Sequence, residues 1–154
     1  MDKKTDNLGN DFKGNIRPKS FTKNPIKGTK FTIAISSAKG GVGKSTFAMN
    51  FALALKTVGA KVGILDADIY GPSQGMMLGL SADARPDIKN DHLLPIKAHG
   101  LLCMSMSFVA SERTPAIWRG PMASGAMQQL LIQTDWGELD YLIVVFYSHL
   151  LEYL

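Results

Sequence analysis

The sequence lacks several features that would place it in a special class of protein. It contains one cysteine, Cys103, among 154 residues, so no disulfide can form within the chain, which fits a reducing compartment. No apolar run approaches the roughly 18 residues that a membrane helix needs. Residues 1–15 carry no apolar segment typical of a secretory signal. We therefore expect a cytoplasmic protein with no membrane contact and no disulfide framework.

A concentrated basic charge is also lacking outside the first thirty residues. The net charge is +4, but residues 1–30 hold eight Lys or Arg against three Asp, a net charge of +5. Residues 31–154 therefore hold nine basic and ten acidic residues, a net charge of −1. We expect no nucleic-acid partner for this near-neutral part. The first thirty residues have little periodicity and several Gly and Pro, which predicts a disordered basic leader before one domain at 31–154.

The most informative feature present is a glycine-rich turn between an apolar run and a helical pattern. The run Phe31 to Ile35 predicts a parallel strand covered on both faces, and residues from Lys44 to about Val58 predict a helix. The residues of the turn and of the helix start are Ala38, Lys39, Gly40, Gly41, Val42, Gly43, Lys44, Ser45 and Thr46. Strand, glycine turn and helix together predict a phosphate-binding loop in an α/β fold with a parallel sheet and flanking helices.

The residue types in this loop suit Mg-ATP. Glycines let backbone N–H groups approach an anion, Lys44 can reach the β and γ phosphates, and Ser45 can ligate Mg²⁺. The positive end of the helix dipole favours the same phosphates. Ala38 departs from the general pattern, which has glycine at that position. The alternative is a connector that binds nothing, but the Lys-Ser-Thr sequence in its expected place favours the binding loop.

A second predicted strand, Lys61 to Leu65, ends in two carboxylates, Asp66 and Asp68. Ligands of parallel α/β sheets lie at the carboxyl ends of the strands, so both side chains are expected near the loop. Carboxylates there suit Mg²⁺, and Asp68 can orient the water that attacks the γ phosphate. The alternative is that Asp68 caps the next helix.

The octapeptide Lys-Gly-Gly-Val-Gly-Lys-Ser-Thr resembles the deviant Walker A signature of the MinD, ParA, nitrogenase iron-protein and Mrp ATPases. This resemblance implies a face-to-face homodimer in which Lys39 reaches the partner's nucleotide; a solvated loop lysine is the alternative. Residues 65–73, 118–122 and 135–142 are similar to the Mrp/ApbC-type iron–sulfur cluster carrier ATPases. That family implies catalytic roles for Lys39, Lys44 and Asp68, and metal binding by Ser45 and Asp66. It also implies cluster transfer to apoprotein recipients.

The sequence departs from the family pattern in its last predicted strand, Asp140 to Phe146. The family continues there into Asp-Leu-Pro-Pro-Gly-Thr-Gly-Asp, whose first Asp serves the Mg²⁺ shell, whereas Val145 takes that position here. No Cys-x-x-Cys pair for an iron–sulfur cluster is present. We expect a C-terminally incomplete, truncated fold with an unpaired sheet edge and weak or absent turnover.

Other segments of the chain predict structure more than chemistry. Residues 82–90 predict a loop, residues 93–97 and 101–105 a strand pair, and residues 123–133 a helix. Cys103 is interpreted as a small buried hydrophobe, and Trp118 and Arg119 either lie near the nucleotide or pack. Two further functional hypotheses stay open. One is a partitioning or site-selection switch ATPase like ParA or MinD, and the other is an inactive truncated remnant.

Overall fold

The computed structural model describes residues 26–68, 73–81, 83–109 and 121–148, with the backbone alone described at 109 and 121–124. The strands in these ranges are Thr29–Ser37 (β1), Val62–Asp66 (β2), Asp87–Lys89 (β3), His92–Leu94 (β4), Ile96–Ala98 (β5), Leu101–Ser105 (β6) and Leu139–Tyr147 (β7). The helices are Lys44–Thr57 (α1), Gln74–Met77 (α2), Met106–Val109 (α3) and Pro121–Gln133 (α4). The predictions made for residues 1–25 and for Trp118 and Arg119 lie outside the described residues.

Five strands form a mostly parallel sheet in the order β1-β7-β2-β6-β5, with β5 antiparallel to β6. This topology confirms the predicted α/β class. The predicted pair of strands at 93–97 and 101–105 is confirmed as β5 with β6, although residues 93 and 94 belong to β4 and Ala98 to β5. The loop prediction for residues 82–90 is wrong in its last part, because β3 pairs with β4 in a separate two-stranded hairpin. The turn between them places Asn90 and Asp91 at φ values of 50° and 62°. Asn and Asp tolerate this left-handed conformation better than most residues.

The sheet carries an apolar cluster on each face. On one face α1 contributes Ala48, Met49 and Ala52, which pack with residues of β2, β6 and β7. On the other face α3 and α4 pack over Leu142 and Val144 of β7. Successive residues of β7 point to opposite faces, so one strand supplies both clusters and reads as a continuous apolar run.

Cys103 lies in the first of these clusters, on β6, with 2% of its surface exposed. Burial raises the pKa of its thiol to about 12, because a thiolate would be poorly solvated there. The prediction that Cys103 is a buried small hydrophobe is confirmed.

The prediction that the first strand is covered on both faces is wrong. Among the described residues β1 pairs with β7 alone and forms an edge of the sheet, and the side chain of Phe31 is 60% exposed. A short apolar run does not distinguish a central strand from an edge strand, since both can be rich in β-branched and aromatic residues. β1 leads directly into the glycine-rich turn.

None of the helices in the described part of the chain is long and apolar enough to cross a membrane.

Candidate functional site: a phosphate-binding cavity

The glycine-rich turn joins the end of β1 to the first residue of α1, as predicted. Gly41 and Gly43 adopt φ values of 74° and 85°, which only glycine occupies without strain. The N–H of Phe47 donates to the carbonyl of Gly43 at 2.8 Å, so α1 is hydrogen-bonded from its first turn. No acidic residue occupies that turn, so no side chain of α1 itself neutralises the positive end of its dipole there.

A cavity of about 500 Å³ lies over this turn at the carboxyl edge of the sheet. It is lined by Ser37, Lys39, Gly40, Gly41, Gly43, Lys44, Ser45, Thr46, Asp68 and Tyr147. Eight of the predicted site residues are thereby brought together. Ala38 and Val42 belong to the turn but do not line the cavity, and the side chain of Val42 is 60% exposed. Asp66 does not line it either.

Lys44 and Asp68 form an ion pair inside the cavity. The Lys44 ammonium donates a hydrogen bond to Asp68 Oδ2 at 2.8 Å, and the two side chains are 7% and 8% exposed. The end of β2 and the start of α1 are thus joined by a nearly buried pair, which places Asp68 beside the loop as predicted. Each charge of this nearly buried pair is compensated by the other. Removing one side chain would leave the other charge buried and poorly solvated.

Asp66 is fully buried, and its carboxylate oxygens accept hydrogen bonds from backbone N–H groups. Its Oδ1 accepts the N–H of Asp68 at 3.1 Å, and its Oδ2 accepts the N–H groups of Ser73 and Gln74 at 2.9 Å each. Burial raises the pKa of this carboxyl to about 6, outweighing the opposing effect of these hydrogen bonds. Asp66 therefore accepts hydrogen bonds from the start of the next helix, and the helix-capping alternative for Asp68 stays a prediction. The metal-binding role of Asp66 stays a prediction.

Reasoning from the sequence missed Tyr147 and Gln74. Tyr147 ends β7 directly beside Ser37 of β1, and its ring centroid lies 5.7 Å from the Lys44 ammonium. The alignment of parallel strands at one edge could have indicated Tyr147. Gln74 is 2% exposed and donates from Nε2 to the carbonyl of Ser45 at 3.1 Å. No sequence pattern signals that contact, which ties α2 to the loop.

The carboxyl end of β7 brings no carboxylate to the cavity. Val145 is fully buried in the apolar cluster beneath α1, and its carbonyl accepts the N–H of Ala67 at 2.8 Å. Within the described residues there is no group of three or more His, Cys, Asp or Glu side chains that could hold a metal by themselves. A metal here would depend on a ligand's own oxygens for most of its coordination.

These contacts suit a polyphosphate. Two lysines, a run of backbone N–H groups and a helix N-terminus converge on one cavity, with a hydroxyl and a single carboxylate beside them. A strand, glycine turn and helix with this lysine define a P-loop nucleotide-binding protein.

Comparison with known families specifies the class further. The family model described as ParA, NUBPL iron-transfer P-loop NTPase, matches residues 28–146, and the chain belongs to this family. An iron–sulfur cluster carrier protein of Pseudomonas fragi is 55% identical over 120 residues, covering 77% of this chain and 42% of that protein. The iron–sulfur cluster transfer protein NUBPL of Dictyostelium discoideum is 48% identical over 128 residues, covering 82% of this chain and 40% of that protein. The chain thus spans about two fifths of the length of these curated relatives.

A solved structure supports the same assignment. The nucleotide-binding protein of Archaeoglobus fulgidus in complex with ADP aligns with a TM-score of 0.64 at 36% identity, over 75% of this chain and 44% of that one. The resemblance seen in the sequence is therefore confirmed at the level of family and fold.

Proposed function

We propose that this chain binds ATP with Mg²⁺ at the phosphate-binding turn and serves as the nucleotide-binding part of an iron–sulfur cluster carrier. The observation that carries the proposal is the position of Lys44, nearly buried at the base of the glycine-lined cavity. The names of the relatives favour this function over a partitioning switch, since they are iron–sulfur cluster carrier and transfer proteins.

Phosphates would take over the contact that Lys44 makes with Asp68. The β phosphate would receive the N–H groups of the turn and the end of the α1 dipole, and Lys44 would turn from the carboxylate to the phosphates. Asp68 would then no longer hold Lys44, and its carboxylate, which lines the cavity, would orient a water molecule toward the terminal phosphate. Hydrolysis by this route is part of the proposal.

The residues at the cavity fit Mg²⁺ only in part. Mg²⁺ is usually held by one or two protein oxygens together with phosphates and water, and the proposed protein ligand is Ser45, which lines the cavity. When bound, the ion would neutralise phosphate charge. Asp66 already accepts three backbone hydrogen bonds, and the side chain of Val145 has no oxygen. We therefore propose that binding is stronger than turnover, because loss of one positioned electrostatic group costs roughly 10²-fold or more in rate.

The proposal extends to a second subunit and to a cluster. Lys39 is exposed at the rim of the cavity, where it could reach a nucleotide held by a partner in a homodimer. The iron–sulfur cluster is cargo in this scheme, and apoproteins are its recipients. Cys103 is the one cysteine of the 154 residues and is buried, so a cluster held by a cysteine pair needs ligands from outside them.

Thermal unfolding during a Mg-ATP titration tests the binding step. At about 100 times the Kd, ATP should raise the unfolding free energy by about 2.7 kcal/mol. Lys44→Ala should abolish the shift, whereas Lys89→Ala, which removes an exposed lysine on β3, should keep it. An equal shift in the parent and in Lys44→Ala, or no shift in either, would contradict the proposal.

A further inference from the structure

The Lys44 ammonium lies between two side chains that hold it in different ways. Asp68, which follows β2, accepts a hydrogen bond from it at 2.8 Å, and the ring centroid of Tyr147, the last residue of β7, lies 5.7 Å from it. A cation within about 6 Å of the centroid of an aromatic ring is attracted by the negative face of the ring. Side chains at the ends of two neighbouring strands therefore both act on the lysine of the phosphate-binding turn.

These two contacts respond differently to a phosphate. The Asp68 carboxylate uses a donor of the ammonium and has the same sign of charge as a phosphate, so the two compete for the lysine. The Tyr147 ring uses no donor, because the ammonium is attracted to the ring face, and all three N–H donors are left for oxygen acceptors. The ring contact is therefore compatible with bound phosphates, whereas the contact with Asp68 competes with them.

The position of Tyr147 is fixed by more than its contact with Lys44. Its backbone pairs with Ser37 in the register of β7 on β1, and a methyl group added to Gly40 would meet its hydroxyl oxygen at 3.1 Å. The phenol thus lies against the first part of the turn and lines the same cavity as Lys44. The long, flexible stem of a lysine loses conformational entropy when its ammonium is fixed. A neighbour that confines the ammonium beforehand lowers this cost of binding.

We propose that Tyr147 is a positioning residue for nucleotide binding, whose ring keeps the Lys44 ammonium at the turn when phosphates displace Asp68. The inference rests on the proposed function, because it assumes that phosphates bind at the turn. Tyr147 acts through Lys44 in this scheme and does not need to touch the nucleotide. Because Lys44 serves the β phosphate as well as the γ phosphate, the affinities for ADP and ATP should both depend on the ring.

Calorimetric titration with Mg-ADP and with Mg-ATP measures this dependence. Tyr147→Leu removes the ring but keeps an apolar side chain, and we expect both affinities to fall about fivefold, the scale of a cation–π contact. Tyr147→Phe keeps the ring and should retain both affinities to within about twofold. Tyr141→Leu is the matched control and should leave both affinities unchanged, because Tyr141 lies on the same strand and stacks on Phe31 at 5.6 Å, outside the cavity.

The contact itself can be measured without a nucleotide. An aromatic ring shifts the NMR signals of protons above its face upfield. The signal of the Lys44 ε-methylene protons is assigned by its loss in Lys44→Ala. We expect this signal to be shifted upfield in the parent and in Tyr147→Phe, and to return downfield in Tyr147→Leu.

The two measurements separate the role of Tyr147 from nucleotide binding. Affinities in Tyr147→Leu equal to those of the parent, or an equal loss in Tyr147→Phe, would overturn the role of the ring while nucleotide binding stands. A loss confined to ATP, or a Lys44 signal that is the same in the parent and in Tyr147→Leu, would overturn it as well. Absence of binding of either nucleotide by the parent is the failure of the proposed function itself. If Tyr147→Leu does not unfold cooperatively, Tyr147→Met replaces it in both measurements.

Discussion

Two neighbouring strands, β2 and β7, run parallel and end at the same edge of the sheet, yet they bring opposite chemistry to it. β2 ends in Asp66 and continues to Asp68, one carboxylate tied to backbone N–H groups and the other to Lys44. β7 passes through buried Val145 and ends in Tyr147. Asp66 and Val145 are direct partners in the register of the two strands. One strand end is thus polar and fully hydrogen-bonded, and the other is apolar and aromatic.

The difference separates two sides of the cavity. The helix side has the groups that suit phosphates, namely the glycines Gly41 and Gly43 with positive φ and the nearly buried Lys44. Of the two residues predicted to bind the metal, Ser45 lines the cavity and Asp66 does not. Binding and turnover should therefore separate in this protein, and substitutions at the two strand ends test that separation.

The largest effect is expected from giving β7 a carboxylate with Val145→Asp. The site is fully buried and lies opposite Asp66, so the new charge would be removed from solvent beside another carboxyl, and we expect a loss of about 4 kcal/mol in unfolding free energy. Mg-ATP should recover part of this loss if the carboxylate can serve the metal. Chemical denaturation with and without Mg-ATP measures both, and Val145→Asn is the uncharged control. A variant as stable as the parent would contradict the burial argument.

The next effect concerns Asp66 and pH. The pKa of the Asp66 carboxyl is raised from 3.8 to about 6, so the folded state binds this proton more tightly than the unfolded state does. The stability it contributes is fully present below about pH 4 and is lost as pH rises through about 6, a change of about 3 kcal/mol. Asp66→Asn does not titrate, so the unfolding free energy of the parent relative to this variant should fall across that range. A difference that is independent of pH would show that Asp66 titrates normally.

The smallest effect is expected at the ion pair. Asp68→Asn keeps the shape of the side chain but frees Lys44 from a carboxylate that phosphates must otherwise displace. We expect ATP to bind about tenfold more tightly while hydrolysis, where present in the parent, declines. Titration calorimetry and phosphate release measure the two quantities, with exposed Asp87→Asn as the control. Unchanged affinity would mean that the pair does not compete with the nucleotide.

Much of the fold could be predicted from local patterns. The helix that begins at Lys44, the second strand and the apolar final strand are each signalled by periodicity or by an unbroken apolar run, and all three are confirmed. The closeness of Lys44 and Asp68 could also be predicted from the sequence, because the carboxyl ends of parallel strands lie at the same edge of the sheet. These are consequences of spacing along the chain.

Other features depend on neighbours that the sequence does not specify. Phe31 lies in a run typical of a central strand, but the sheet order leaves it 60% exposed. Asp66 and Asp68 are two residues apart and of the same chemical type. Their different roles arise because the start of α2 folds back over one of them. Tyr147 acquires a place in the cavity only through the register of β7 on β1.

The edge position of β1 has a consequence for the protection of the loop. Alternate N–H groups of β1 point away from β7 and, among the described strands, toward no partner. These amide protons take no part in hydrogen bonds between the described strands. We therefore expect them to exchange with water at a rate set by local fluctuation and not by global unfolding. The other end of the turn is anchored in α1, whose Ala48 and Ala52 are wholly buried. The phosphate-binding turn therefore joins an edge strand of the large sheet to a helix whose inner face is buried in the core.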